Sequence, residues 1–191
     1  MTLEEEKHII QLIKEDPKEF GIVFDSYYNQ IFSYIYKRII DYDISRDIAA
    51  ETFLKAFLNI KSFVWMDISI SSWIYRIATN EINQHFRRNK KLNISLDALL
   101  DKNDFDILNS HEFIEERQTL ERELELHEEF LKVQRCLTKL DIKYQEVLSL
   151  KYFEKKSIIE VAEILNKKEG TVKSLLSRGT EKLRIMMNDA T

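Results

Sequence analysis

Apolar residues recur at helical spacing from Phe20 onward, with Phe24, Tyr27, Ile31 and Ile35 forming one aromatic-rich stripe. The preceding "EDPKEF" is a helix start, with Asp16 as N-cap, Pro17 at the first helical position and Glu19 three residues after the cap. This pattern predicts a long helix ending near Ile40. A second begins near Asp43 in "DISRDIAAETFLKAFLNI", where Ala49, Phe53 and Phe57 face inward and Asp47 and Glu51 share an outer edge. In a third, "SSWIYRIATNEINQHFRRNKK", Ile74, Ile77, Ala78 and Ile82 gather on one side. Arg76, Asn80, Asn83 and Arg87 gather on the other. Periodicity then lapses from residue 91 to about 116, and a helix-like pattern returns near Arg117.

The last patterned stretch, "SIIEVAEILNKKEGTVKSLLSRGTEKLR", opens with a capping box, Ser157 with Glu160, and turns Ile158, Val161, Ala162 and Leu165 inward. Asn166 suits the left-handed end of a tight turn. A further helix from about Glu169 turns Val172, Leu176, Gly179 and Leu183 inward, completing a helix-turn-helix.

Composition agrees with an all-α fold: only three glycines and one proline punctuate 191 residues. The expected architecture is two small helical domains, residues 1–91 and 128–191, joined by an acidic linker at 92–127. The net charge of −4 speaks against a nucleic-acid binder until it is resolved along the chain. Residues 91–127 carry 4 basic against 10 acidic residues, whereas residues 128–191 carry 13 against 10. The single Cys136 excludes an internal disulfide or a cysteine-rich zinc site. No signal peptide or membrane-length apolar run is present, so a cytoplasmic protein without membrane insertion is expected. His8, His85, His111 and His127 lie singly, without metal spacing, and no catalytic constellation is found, so neither enzyme activity nor a cofactor is expected.

Candidate chemistry lies on the polar faces. Asp47 and Glu51 are either a solvated acidic edge or a partner surface. The arginine and amide ladder of the third helix, ending in the basic cluster Arg87, Arg88, Lys90 and Lys91, suits phosphates and base edges, though it also fits an ordinary polar surface. Phe63, Trp65 and Trp73 sit in and beside the preceding loop, where aromatics plug a core or accept an unstacked base, and Trp73 is expected to pack. Lys167 and Lys168 stand where a helix start disfavours cations. A phosphate lying over that start, held by backbone N–H groups and both ammonium groups, accounts for them, as does plain solvation at small cost. Gly170, Thr171, Lys173, Ser174, Ser177 and Arg178 form the outward face of the second helix, the one that enters a major groove in this motif.

Together these motifs resemble the bacterial RNA polymerase sigma factors, specifically the extracytoplasmic-function group. "DIAAETFLKAF" is similar to the family's core-binding helix, "WIYRIATNEINQHFRR" to its minus-ten helix, and "YQEVLSLKYFEKKSIIEVAEILNKKEGTVKSLLSRGTEKLR" to its minus-thirty-five domain. The resemblance covers about residues 17–91 and 128–187. It implies a dissociable, non-catalytic promoter-specificity subunit, with RNA polymerase core (the largest subunit's clamp helices, and the flap) and promoter DNA as partners. An anti-sigma factor is a further possible partner. Asp47, Glu51 and Phe53 would dock on the clamp. Arg76, Asn80, Asn83, Gln84, Arg87 and Arg88 would engage the minus-ten element, with Phe63 and Trp65 in the base-capture loop. Lys167, Lys168, Thr171, Lys173, Ser174, Ser177 and Arg178 would meet the minus-thirty-five element. The linker would thread toward the active-site and RNA-exit channel. Gln84 stands where the family commonly has Asp, Ala50 where Gln is frequent, and Leu175 and Thr180 where arginines are frequent; Asp141 replaces the usual Pro and is expected to cap its helix.

Two other readings compete. A sigma-like decoy that binds only an anti-sigma protein has no use for Arg87, Arg88, Lys173 and Arg178. A plain helix-turn-helix repressor leaves Asp47, Glu51 and the aromatic loop without a role. Promoter sequence, regulon and inducing signal are not encoded in these patterns.

Overall fold

The computed structural model describes residues 3–63, 69–91 and 129–189. Trp65 and the predicted linker lie outside them. Among the described residues the secondary structure is helical throughout, with no strand.

The first helix, α1 (Leu3–Glu15), has no counterpart in the predicted elements. Glu4, Glu5 and Glu6 fill its first turn and Lys14 its last, which suits the helix dipole. It buries Ile10 and Ile13, and also Glu6, which is 3% exposed. Asp16 caps as expected, accepting from the Lys18 N–H, but Pro17–Glu19 forms one 3₁₀ turn before α2 (Phe20–Ile39) begins. The aromatic stripe is mostly interior: Phe20, Tyr27, Ile31 and Ile35 are buried, joined by Val23 and Tyr34. Phe24 is not, remaining 38% exposed while stacking on Tyr28 and meeting Phe53 edge-on. Ile40 ends the helix at φ 58°, a left-handed conformation costly for a β-branched residue, with its N–H bonded to the Tyr36 carbonyl.

Helix α3 (Tyr42–Asn59) starts earlier than predicted because Asp41, rather than Asp43, is the cap, accepting from the Ile44 N–H at 2.9 Å. Ile48, Ala49, Thr52, Phe53 and Ala56 are buried. Phe57, expected inside, is 40% exposed and meets Phe20 in a T-shaped contact, ring centroids 5.3 Å apart. A 3₁₀ turn (Ile60–Ser62) leads to Phe63, and α4 (Ile70–Lys91) follows. The Ser69 hydroxyl accepts from the Ser72 N–H, and Glu6 accepts from the Ile70 N–H at 2.9 Å, so α1 itself supplies a cap for α4. Ile70, Ile74, Tyr75, Ala78 and Ile82 seal α4 against α2 and α3.

The C-terminal unit begins with helical residues 129–138 (α5). Helix α6 (Ile142–Leu148) continues into a π-turn (Ser149–Phe153). The Asp141 side chain, expected to cap this helix, makes no capping bond; only its backbone carbonyl serves the helix start, taking the Tyr144 and Gln145 N–H groups. Helix α7 (Ile158–Leu165) carries the predicted Ser157–Glu160 capping box, and Asn166 is left-handed at φ 50° and ψ 50°. The Lys167 N–H returns to the Ala162 carbonyl and the Asn166 N–H to Glu163, a Schellman turn that redirects the chain into α8 (Glu169–Asp189). Val161, Ala162 and Ile164 are buried in α7, while Ile158 and Leu165 are half-buried. Inside α8, Val172, Leu176 and Gly179 are buried. Gly179 permits the close approach of α6: a Cβ there would lie 3.3 Å from the Tyr144 Cβ and 3.2 Å from the Leu148 Cδ1.

The two units are not separate bodies on a string. Helix α4 packs against α7, and α2 against the π-turn, so one continuous core runs from Ile10 to Leu176.

Candidate nucleic-acid and polymerase surfaces

The polar face of α4 divides in two. Asn80, Arg87 and Arg88 are exposed, and Gln84 is half-buried with its amide 3.4 Å from Glu81. Arg76 and Asn83 instead turn into the seam between the units. The Arg76 guanidinium donates to the Glu163 carbonyl of α7, and the Asn83 amide donates to the Glu146 carboxylate of α6 at 2.6 Å. The six residues predicted for one strip of promoter contacts thus lie on one helix, three exposed and three half-buried, and two of the half-buried ones, Arg76 and Asn83, are bonded to the C-terminal unit. Phe63 is buried and packs on Trp73, ring centroids 4.8 Å apart, so the expected packing of Trp73 is found and Phe63 shares it.

Two polar residues that the sequence reading passed over complete this seam. Lys37, at the end of α2, donates to Glu154 Oε1 at 3.1 Å, and the Tyr75 hydroxyl donates to Glu154 Oε2 at 2.7 Å. Burial, then the adjoining Glu154 carboxylate, pushes the Tyr75 hydroxyl far above the usual phenol range. Burial likewise raises the Glu163 carboxyl, helped by Glu160 and opposed by Arg76. Lys156 reaches across to the Ser71 hydroxyl and lies 4.6 Å from the Tyr75 ring centroid. Neither Lys37 nor Tyr75 stands out in a linear reading, because each belongs to a helix whose period explains it as ordinary surface or core.

The helix-turn-helix presents its outward set as predicted by period: Thr171, Lys173, Ser174, Ser177 and Arg178 are all exposed near the start of α8. Lys168 is exposed and Lys167 half-buried. The Lys168 carbonyl accepts from the Thr171 and Val172 N–H groups, so this lysine is the residue at which the helix begins. Lys173 lies 3.9 Å from Glu169 one turn back, an exposed pair that leaves the ammonium available.

On α3, Asp47 and Glu51 are exposed on one edge. Lys55 binds Glu51 at 3.3 Å and Glu81 of α4 at 2.7 Å, and the Glu81 bond chiefly raises its pKa. Phe53 is 3% exposed, packed on Phe24 and Tyr28, and so underlies this surface without forming its outer layer. Leu54 and Leu58, 51% and 66% exposed, extend the Asp47–Glu51 edge by successive helical turns. Their signal lay in the same spacing, two leucines on the polar side of an amphipathic helix.

No group of histidine, cysteine and acidic residues able to hold a metal occurs among the described residues, and no helix there is long and apolar enough to cross a membrane.

Comparison with known proteins closes the question of kind. Residues 23–92 match the family model for sigma-70 region 2, and residues 130–183 match that for sigma-70 region 4. The ECF RNA polymerase sigma factor SigW of Bacillus subtilis is 35% identical over 189 residues, 96% of either chain. Two solved structures share the fold at 18% identity. CnrH in complex with the cytosolic domain of CnrY has a TM-score of 0.68, covering 97% of this chain and 99% of its own. The sigma factor RpoE of Bartonella quintana in complex with the anti-sigma factor NepR has a TM-score of 0.61, covering 90% and 98%. With both regions matched in order and a relative alike along nearly its whole length, the chain belongs to the ECF RNA polymerase sigma factors, the promoter-specificity subunits of that enzyme.

Proposed function

We infer that this sigma factor is a dissociable subunit that adds no catalysis of its own and works in the cytoplasm, bringing core polymerase to promoters with both a minus-thirty-five and a minus-ten element. The α8 set Lys173, Ser174, Ser177 and Arg178 reads the first in the major groove. Asn80, Gln84, Arg87 and Arg88, joined by Arg76 and Asn83 when the seam is open, hold the second, and trapping of unpaired bases supplies the energy of melting. Asp47 and Glu51, flanked by Leu54 and Leu58, face the polymerase clamp. The observation that carries this reading is the placing of two cationic helix faces on different units, with an acidic edge on a third face. Since the solved relatives were captured with CnrY and NepR, an anti-sigma protein is the further partner we assign.

The test is transcription in vitro from genomic fragments with bacterial core polymerase, with and without the chain. Start-site selection is expected only when it is present. Asp47→Lys with Glu51→Lys is expected to weaken capture of core at least tenfold; unchanged capture would remove the assignment of that edge.

A further inference from the structure

The seam between the units has a one-sided chemistry. Lys37, Tyr75, Arg76 and Asn83, all of the N-terminal unit, act there as donors, and every acceptor they meet is an oxygen of the C-terminal unit. Glu154 places one carboxylate oxygen 3.1 Å from the Lys37 ammonium and the other 2.7 Å from the Tyr75 hydroxyl. Glu146 sits 2.6 Å from the Asn83 amide, and the Glu163 carbonyl takes the Arg76 guanidinium. Two contacts run the other way, Lys156 to the Ser71 hydroxyl and Gln134 to the Lys37 carbonyl, and neither occupies a donor of this strip. A carboxylate bridging an ammonium and a hydroxyl through its two oxygens satisfies the same geometry as two non-bridging oxygens of a phosphodiester.

The seam also satisfies its polar atoms incompletely. Arg76 Nε and Asn83 Oδ1 are buried without a hydrogen-bond partner. Such a surface is held less tightly than an apolar one of equal area, because each unpaired group keeps its desolvation cost. Once parted, the strip would leave the Arg76 guanidinium on the same face of α4 as Arg87, with the Lys37 ammonium at the end of α2 freed from Glu154.

We propose that Lys37, Tyr75, Arg76 and Asn83 form a DNA-backbone site that extends the promoter-reading face of α4 onto the end of α2, and that Glu154 and Glu146 occupy it as phosphate surrogates while the chain is closed. The proposal rests on the promoter-binding reading above and adds Lys37 and Tyr75 to it, together with a competitor built into the chain. DNA and the C-terminal unit exclude one another from the strip, so apparent affinity is the intrinsic affinity scaled by the fraction open.

The experiment is fluorescence anisotropy of the full chain with a labelled single-stranded DNA of mixed sequence, across a salt series. Glu146→Gln with Glu154→Gln removes the surrogate charges and is expected to tighten binding severalfold. In that background Lys37→Ala is expected to weaken binding roughly threefold to tenfold and to reduce the log–log salt slope by about 0.7, the loss of one phosphate contact on a single strand. Lys37→Arg keeps the charge and the slope. If the Lys37→Ala change in the glutamine background leaves affinity and slope untouched, Lys37 is only a latch and the proposal is wrong; glutamine variants that bind no tighter overturn the surrogate role. Should Glu146→Gln disturb the circular dichroism spectrum, Glu154→Gln alone carries the same comparisons. Failure of start-site selection in the transcription assay would instead overturn the promoter-binding reading itself, so the two failures are told apart.

Discussion

Glu6 shows how much one residue can organise. The residue is 3% exposed, and its carboxylate accepts from the Tyr27 hydroxyl at 2.9 Å and caps the first N–H of α4 at 2.9 Å. Burial, with this carboxylate beside it, pushes the Tyr27 hydroxyl above the usual phenol range, so the proton stays on tyrosine and the bond keeps its direction. Truncation would leave two buried donors unpaired. Glu6→Ala is therefore expected to cost about 3 kcal/mol of stability, read as a lower urea midpoint, with Glu6→Gln intermediate because it retains one acceptor. A midpoint within error of wild type would mean that α1 can lift away without consequence. In the sequence Glu6 is the third of three glutamates in a row, with nothing to mark it from Glu4 and Glu5, which are exposed.

At the scale of elements, α7 is the helix most governed by local rules. It has only eight residues and relies on its capping box: Glu160 Oε2 accepts from the Ser157 N–H at 2.7 Å, and the Ser157 hydroxyl accepts from the Glu160 N–H at 3.2 Å. Burial by itself would raise the Glu160 carboxyl, but the Ser157 bonds and nearby Lys156 outweigh it and hold the group below the ordinary carboxylate range. A carboxyl depressed on folding stabilises the protein above its unfolded pKa, and that contribution disappears as pH falls through the folded value. The helix-turn-helix is accordingly expected to lose stability on acidification in that interval, seen in thermal melts across a pH series. Ser157→Ala should shrink this acid-dependent loss and lower stability at neutral pH by about 1 kcal/mol; an unchanged pH profile would show that the box is not formed in solution.

The whole molecule is a balance between two sets of partners for the same side chains. Lys37, Tyr75, Arg76 and Asn83 bind within the chain, while the exposed Asn80, Arg87 and Arg88 continue the same helix. Packing of α4 on α7 and of α2 on the π-turn supports the closed form as well, and the Lys37 ammonium lies 5.9 Å from the Phe153 ring centroid. Removing the Glu154 partners on α2 and α4 together leaves a buried carboxylate uncompensated, which costs more than the pair itself contributes. Lys37→Ala with Tyr75→Phe is thus expected to open the molecule, raising the radius of gyration in solution X-ray scattering. Scattering identical to wild type would show that apolar contact alone holds the units together.

What could be read from the chain itself was whatever depends on near neighbours. The periods of α2, α3, α4 and α8, the Asp16 cap, the Ser157–Glu160 box and the left-handed Asn166 all follow from residues within a few positions of one another, and the structure contains each. The outward face of α8 was legible for the same reason, since a helix bounded by a known turn has its inner side set by Val172, Leu176 and Gly179. Distance in sequence hid the rest. Period placed Arg76 and Asn83 with Asn80 and Arg87, but which of the four meet solvent depends on Glu163 and Glu146, more than sixty positions away. The cap that α1 lends to α4 spans a similar gap, as does the pairing of Lys37 and Tyr75 on Glu154. Helical spacing determines which side chains share a face; only the packing of one face upon another decides which of them remain free to bind.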